Sequence, residues 1–114
     1  MPMMFGFGQQ RRSLLMAELE RIADELPSLG SRGTILLTDL AAAAIAPAAE
    51  LDLLLIQETD EPFHRRADFW VTHLRPRVGT HFFVYTPTEY EELGDDDPII
   101  REAKHHGTVI DAPA

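Results

Sequence analysis

No cysteine occurs among the 114 residues. Disulfides, thiolate zinc sites and a cysteine nucleophile are excluded together. Nothing points to an oxidising compartment, so a cytoplasmic location is the expectation. No apolar run reaches the roughly 20 residues that cross a bilayer, and no membrane partner is expected. The opening "MPMMFGFGQQRR" lacks a long apolar stretch and carries Arg11 and Arg12 after its apolar residues, which is not the order of a secretory leader. Residues 1–8 read as a flexible arm or a sticky segment for a partner, ahead of a single domain over 9–114. A basic stripe is missing too. Arg11 with Arg12, Arg65 with Arg66, and Arg75 with Arg77 are scattered pairs in a chain of net charge −9. Such a chain repels nucleic-acid phosphates, so no direct nucleic-acid partner is expected. There are no internal repeats, and no low-complexity segment beyond one alanine run.

What is present has the composition of one globular core: 45% hydrophobic and 25% charged residues, in a length that suits one domain. Over residues 9–26, Leu15, Leu19, Ile22 and Leu26 recur at helical spacing on one face. "LPSLGSRG" breaks that helix. "TILLTD" (34–39) reads as a buried strand. "LAAAAIAPAA" (40–49) reads as helix, ended by Pro47. "LDLLLIQ" (51–57) is a second strand, apolar enough for the centre of a sheet covered on both faces.

Pro62 then stands near a helix start, and Phe63, Ala67, Trp70 and Leu74 form an apolar stripe. "THFFVYT" (80–86) is a third strand. Thr86 and Glu89 form a capping box around Pro87. That helix ends at Gly94; another starts at Asp97–Pro98 and ends at Gly107. "TVID" is a last short strand or an extended tail. The order predicts an α/β (α+β) domain, a small mixed β-sheet of three or four strands with helices packed on it.

The chemistry concentrates at the second strand. Glu50 and Asp52 are two apart, so on a strand they share a face. A carboxylate beside so apolar a strand is costly unless it is solvated, paired or bound to a cation. Two acids on one face suit a hard cation such as Mg²⁺; the plainer reading is a pair of solvated acids at a strand end.

Several segments carry a resemblance. "TILL", Pro47, "ELDLLLI", "FFVYTPTEYEEL" and "DPIIREAKHHGTVI" together resemble the minimal, single-domain members of the nucleotidyltransferase superfamily, related to the polymerase-beta fold. The likeness covers about residues 34 to 110. It implies a glycine-serine turn opening a helix after the first strand, an Asp-x-Asp pair on the second, and a third acid on the third. In this chain the turn's positions hold Thr38 and Asp39, about twelve residues before Glu50. The acid pair is Glu50 and Asp52, and the third acid is replaced by His81.

A helix N-terminus holds phosphate with bare amides, a hydroxyl and its dipole; the carboxylate of Asp39 opposes that. The acids of such enzymes hold two metal ions, and the third is the usual base. His81 is a possible base or metal ligand, with one negative charge fewer. The resemblance therefore implies a degenerate member. A residual divalent-ion site of Glu50, Asp52 and His81, with Asp39 nearby, is the cofactor expectation, as Mg²⁺ or none.

The tripeptide Gly30-Ser31-Arg32 looks like a phosphate-binding turn. It precedes the first strand and lies about twenty residues before Glu50, so it is a decoy, with Gly30 as a helix-end glycine. His105 and His106 sit at a helix end, where cations complement the dipole. His64 and His73 are expected on the surface, and Phe63 and Trp70 in the core. Ser13 and Ser31 lack triad partners. The run 95–97 is a solvated loop whose last residue caps a helix. Tyr85 and Tyr90 are candidates for modification, with nothing local requiring it.

The expected function is a catalytically impaired nucleotidyltransferase-like domain that binds a protein. The resemblance implies a small helical partner, in an antitoxin-like role; a homo-oligomer is the other partner expectation. One alternative is an active Mg-dependent nucleotidyltransferase with a Glu-x-Asp plus His site. Another is a dimerisation or binding domain with no ligand.

Overall fold

The computed structural model describes residues 2–112. Its elements are α1 (Pro2–Glu25), β1 (Gly33–Leu36), β2 (Leu51–Ile56), α2 (Arg66–Leu74), β3 (Thr80–Tyr85), α3 (Pro87–Leu93), α4 (Pro98–His106) and β4 (Thr108–Asp111). The sheet runs β3-β2-β1-β4. β1 is antiparallel to β2 and β4, and β2 is parallel to β3. This is the mixed α/β sheet with packed helices that the pattern predicts. No helix among the described residues is long and apolar enough to cross a membrane.

The two inward directions of β2 feed two cores. Leu51, Leu53 and Leu55 join Leu15, Ile22 and Leu26 of the α1 side and Trp70 and Leu74 of α2. Leu54 and Ile56 join Ile35, Tyr85, Ile100 and Ala103 on the other face, with α4. Each of the five apolar β2 side chains is at most 1% exposed. The alternation follows from the two-residue period of a strand. The Thr86–Glu89 capping box forms as the sequence predicts, and Asp97 caps α4 through the amides of Ile99 and Ile100.

Three elements depart from the sequence reading. α1 begins at Pro2, seven residues before the helix expected over 9–26; residues 2–8 continue the same helix. Phe63 leaves the apolar stripe. It sits in a 3-10 turn, Phe63–Arg65, and is 46% exposed, its ring 5.2 Å from that of Tyr85. The third departure is the alanine run. Residues 40–49 are turns and irregular chain, not helix.

The reason is hydrogen bonding. Asp39 Oδ1 accepts from the Ala41 amide, a local turn that competes with helix. The carbonyls of Leu40 and Ala42 accept from Arg12, and that of Ala49 from Arg11. Those are groups a helix would use internally or leave at its end. Leu40, Ala42, Ile45 and Ala49 turn toward the core on the α1–α2 side. Burial at irregular spacing thus outweighs alanine's helix preference, which is worth only tenths of a kcal/mol per residue, roughly 0.5.

One buried ion joins two elements. Glu18, 4% exposed, accepts from Arg21 through both oxygens, at 2.8 and 2.9 Å, and from the backbone amide of Arg77. Arg21 also donates to the Leu74 carbonyl at 2.9 Å. α1 is thereby tied to the turn after α2, where Arg75 adopts φ 47° as the helix cap. The Arg21 hydrogen bond, with the Arg77 amide, holds the Glu18 carboxyl down at about 2 against the opposition of burial. A lowered carboxylate contributes stability above pH 4.5 and loses it as the pH falls toward about 2. Glu18→Gln is expected to lower unfolding stability by about 2 kcal/mol at neutral pH. Urea titrations should show the gap to wild type closing as the pH falls through that window.

Candidate functional site

Glu50, Asp52 and His81 come together on one face at the start of the parallel pair. Asp52 and His81 are register partners across β2 and β3. Glu50 precedes β2 by one residue, and its Oε1 lies 2.9 Å from His81 Nε2. Both side chains are about half exposed. Glu50 is able to reach because Gly79 has no side chain: a Cβ there would overlap the Glu50 carboxylate. The Glu50 hydrogen bond, more than the charge of Asp52, raises His81 above the ordinary imidazole range, against the opposing effect of burial.

Thr38 belongs to the same corner. Its hydroxyl donates to the Glu50 carbonyl at 2.9 Å and accepts from the Asp52 amide at 2.8 Å. The hydroxyl is thus spent on bracing the irregular chain after β1 against the entry of β2. Asp39 is exposed and engaged in its own turn. The resemblance implies a helix opening at this point; the chain instead holds turns, so no row of bare helix amides is presented here. Among the described residues, no three His, Asp or Glu side chains are grouped as a set able to hold a metal ion.

The decoy tripeptide is structural. Gly30 has φ 110° and caps the 3-10 turn Pro27–Leu29. The Ser31 hydroxyl points inward, donating to the Gly33 carbonyl at 3.0 Å and lying 3.1 Å from the Thr34 hydroxyl. His64 and His73 are exposed, as expected, and His73 stacks on Phe69 with ring centroids 4.2 Å apart. His105 meets Asp95 at 3.2 Å on the surface. Tyr85 is buried, and its hydroxyl donates to both Asp97 oxygens. Burial, helped by that carboxylate, raises its pKa.

Sequence reasoning missed Arg66. It is buried at 8% exposure, and it holds both Glu89 oxygens, the Glu61 carbonyl and the Val84 carbonyl. Its only signal was position: residue 66 lies four before Trp70 on the inward side of α2. Arg66, before α3's other contacts, holds Glu89 below its usual range.

Comparison with family models, with curated proteins and with solved structures finds no match.

The Glu50–His81 pair predicts a titration. A raised histidine stabilises below its unfolded value of 6.5 and loses that contribution as the pH rises through its folded value. Glu50→Gln should bring the His81 pKa down toward 6.5 in an NMR titration of the imidazole. Gly79→Ala should do the same by displacing the Glu50 carboxylate. An unchanged His81 in both variants would show that the pair is not formed in solution.

Proposed function

We propose that this chain is a nucleotidyltransferase-like domain that has lost nucleotidyl transfer and acts by binding a protein partner. The observation that carries the proposal is the corner after β1. Transfer from a nucleoside triphosphate needs donors and cations at the phosphates and acids that hold metal ions. Here Thr38 is committed to the backbone around β2, Asp39 brings a carboxylate, and Glu50 is paired with His81. Each engagement removes one part of the machinery that the family resemblance implies. The small helical partner and the antitoxin-like role rest on that resemblance. The net charge of −9 suits a partner with a basic face.

A second reading has its own support. Glu50, Asp52 and His81 do share one end of one face, and half-exposed side chains are free to re-pair around an added ion. On that reading the chain is an active Mg-dependent transferase with His81 as base.

Incubating the protein with each labelled nucleoside triphosphate and Mg²⁺ or Mn²⁺ separates the two. The expected result is no transfer to the chain or to a co-expressed partner, and no metal-dependent heat on titration with ATP. Label transfer that Asp52→Asn abolishes would replace the first reading with the second. A stable complex with the product of a neighbouring gene, indifferent to Asp52→Asn, is the positive outcome for the binding role.

A further inference from the structure

A cavity of about 250 Å³ lies at the far end of the parallel pair from Glu50, Asp52 and His81. It opens where the chain leaves β2 and turns into α2. In open α/β sheets the crevice outside the carboxyl ends of the strands is where ligands bind. The acid-histidine corner sits at the opposite, amino ends of β2 and β3.

The floor is fixed before any ligand arrives. Gln57 follows β2, and its backbone amide donates to the Tyr85 carbonyl. Its side-chain oxygen accepts from Trp70 Nε1 at 3.1 Å, which leaves the carboxamide NH₂ without a protein acceptor among the described residues. Arg66 is held by its four acceptors. A site whose groups are already ordered does not lose their rotamer freedom on binding.

The rim carries unspent charge of both signs. Arg65, Glu61 and Asp68 line the cavity, are exposed and have no ion-pair partner among the described residues. Arg21, Arg32 and Arg66, by contrast, each hold a carboxylate. Thr59 and Phe69 complete the lining; Phe69 is 38% exposed, an aromatic surface facing the pocket.

We propose that this cavity binds a small zwitterion, a free α-amino acid. Arg65 would take its carboxylate, Asp68 and Glu61 its ammonium, and Phe69 its apolar side chain. With Arg66 already paired to Glu89, a lining that offers one uncommitted cation, two anions and an apolar wall fits such a molecule better than it fits a simple anion or cation. Either of those leaves the opposite charge on the rim without a counterpart. The volume falls below the roughly 300–1,000 Å³ of drug-sized ligand sites, which suits an amino acid and is small for a nucleotide.

The protein carries its own reporter. Trp70 is the one tryptophan, and its indole N–H rests on Gln57 in the cavity floor. The full chain, labelled with ¹⁵N, is titrated with L-leucine, N-acetyl-L-leucine and L-leucinamide. L-leucine is expected to shift the Trp70 indole and Gln57 side-chain signals saturably, with a dissociation constant on the order of 1 mM. The acetyl and amide forms, each lacking one charge, should bind about tenfold or more weakly. Arg65→Ala should weaken L-leucine about tenfold and leave leucinamide unchanged; Asp68→Asn should weaken leucinamide and leave N-acetyl-leucine unchanged. Both residues are exposed and unpaired among the described residues, so the variants are expected to fold. Leucinamide binding as tightly as leucine would make this a plain cation site, and N-acetyl-leucine doing so a plain anion site. Either result, or no saturable shift in a folded sample, overturns the proposal.

Discussion

Apart from Asp52, β2 is sealed from water on both sides. Five of its six side chains are buried, three toward α1 and α2 and two toward α4. A strand in that position needs hydrogen-bonded neighbours on both edges and a covering layer on both faces. β1 and β3 supply the edges, and the helices supply the layers. Burying a Leu or Ile side chain contributes on the order of 2 kcal/mol. The β2 run is therefore the largest local reason for the domain to close around it. The same constraint sends Asp52 and Glu50 to the mouth of the strand, the first place where a carboxylate meets water.

Charge appears inside this structure only where it fastens one element to another. Arg66 ties the loop before α2 to the edge of β3 and the cap of α3. Glu18 ties α1 to the turn after α2. Arg11 and Arg12 do the same for the chain between β1 and β2 through its carbonyl oxygens, whereas Arg66 holds a carboxylate as well as two carbonyls. A guanidinium's fixed fork of donors suits these joints, since it satisfies two or more acceptors without leaving one buried and bare. No buried side-chain N or O atom among the described residues lacks a hydrogen-bond partner.

The two ends of the β2–β3 pair have become chemically different. At the amino ends, Glu50 is paired with His81, and the Thr38 hydroxyl is taken up by the backbone of Glu50 and Asp52. At the carboxyl ends, Arg65, Glu61 and Asp68 have no ion-pair partner among the described residues and surround a preformed floor. Groups already paired must give up partners before they engage a ligand, whereas unpaired groups exchange only water. Ligand chemistry is accordingly easier to place at the second end.

By itself the sequence determined what is local and periodic. The apolar run of β2, the heptad-like face of α1, the Thr86–Glu89 box and the Asp97–Pro98 start all act within a few residues, and each formed where its spacing placed it. It also showed that Glu50 and Asp52 share a face and that Gly30-Ser31-Arg32 precedes β1. Tertiary structure alone decided the fate of the alanine run, because the arginines that take its carbonyls lie about thirty residues earlier. It alone decided that Arg66 is buried and Phe63 is not, because Glu89 and the Val84 carbonyl arrive from distant segments to neutralise and satisfy the guanidinium. The pairing of Glu50 with His81 depended on a strand register and on the missing side chain of Gly79. Periodicity reports which way a side chain faces; what waits there to meet it is set by the chain's long-range closure.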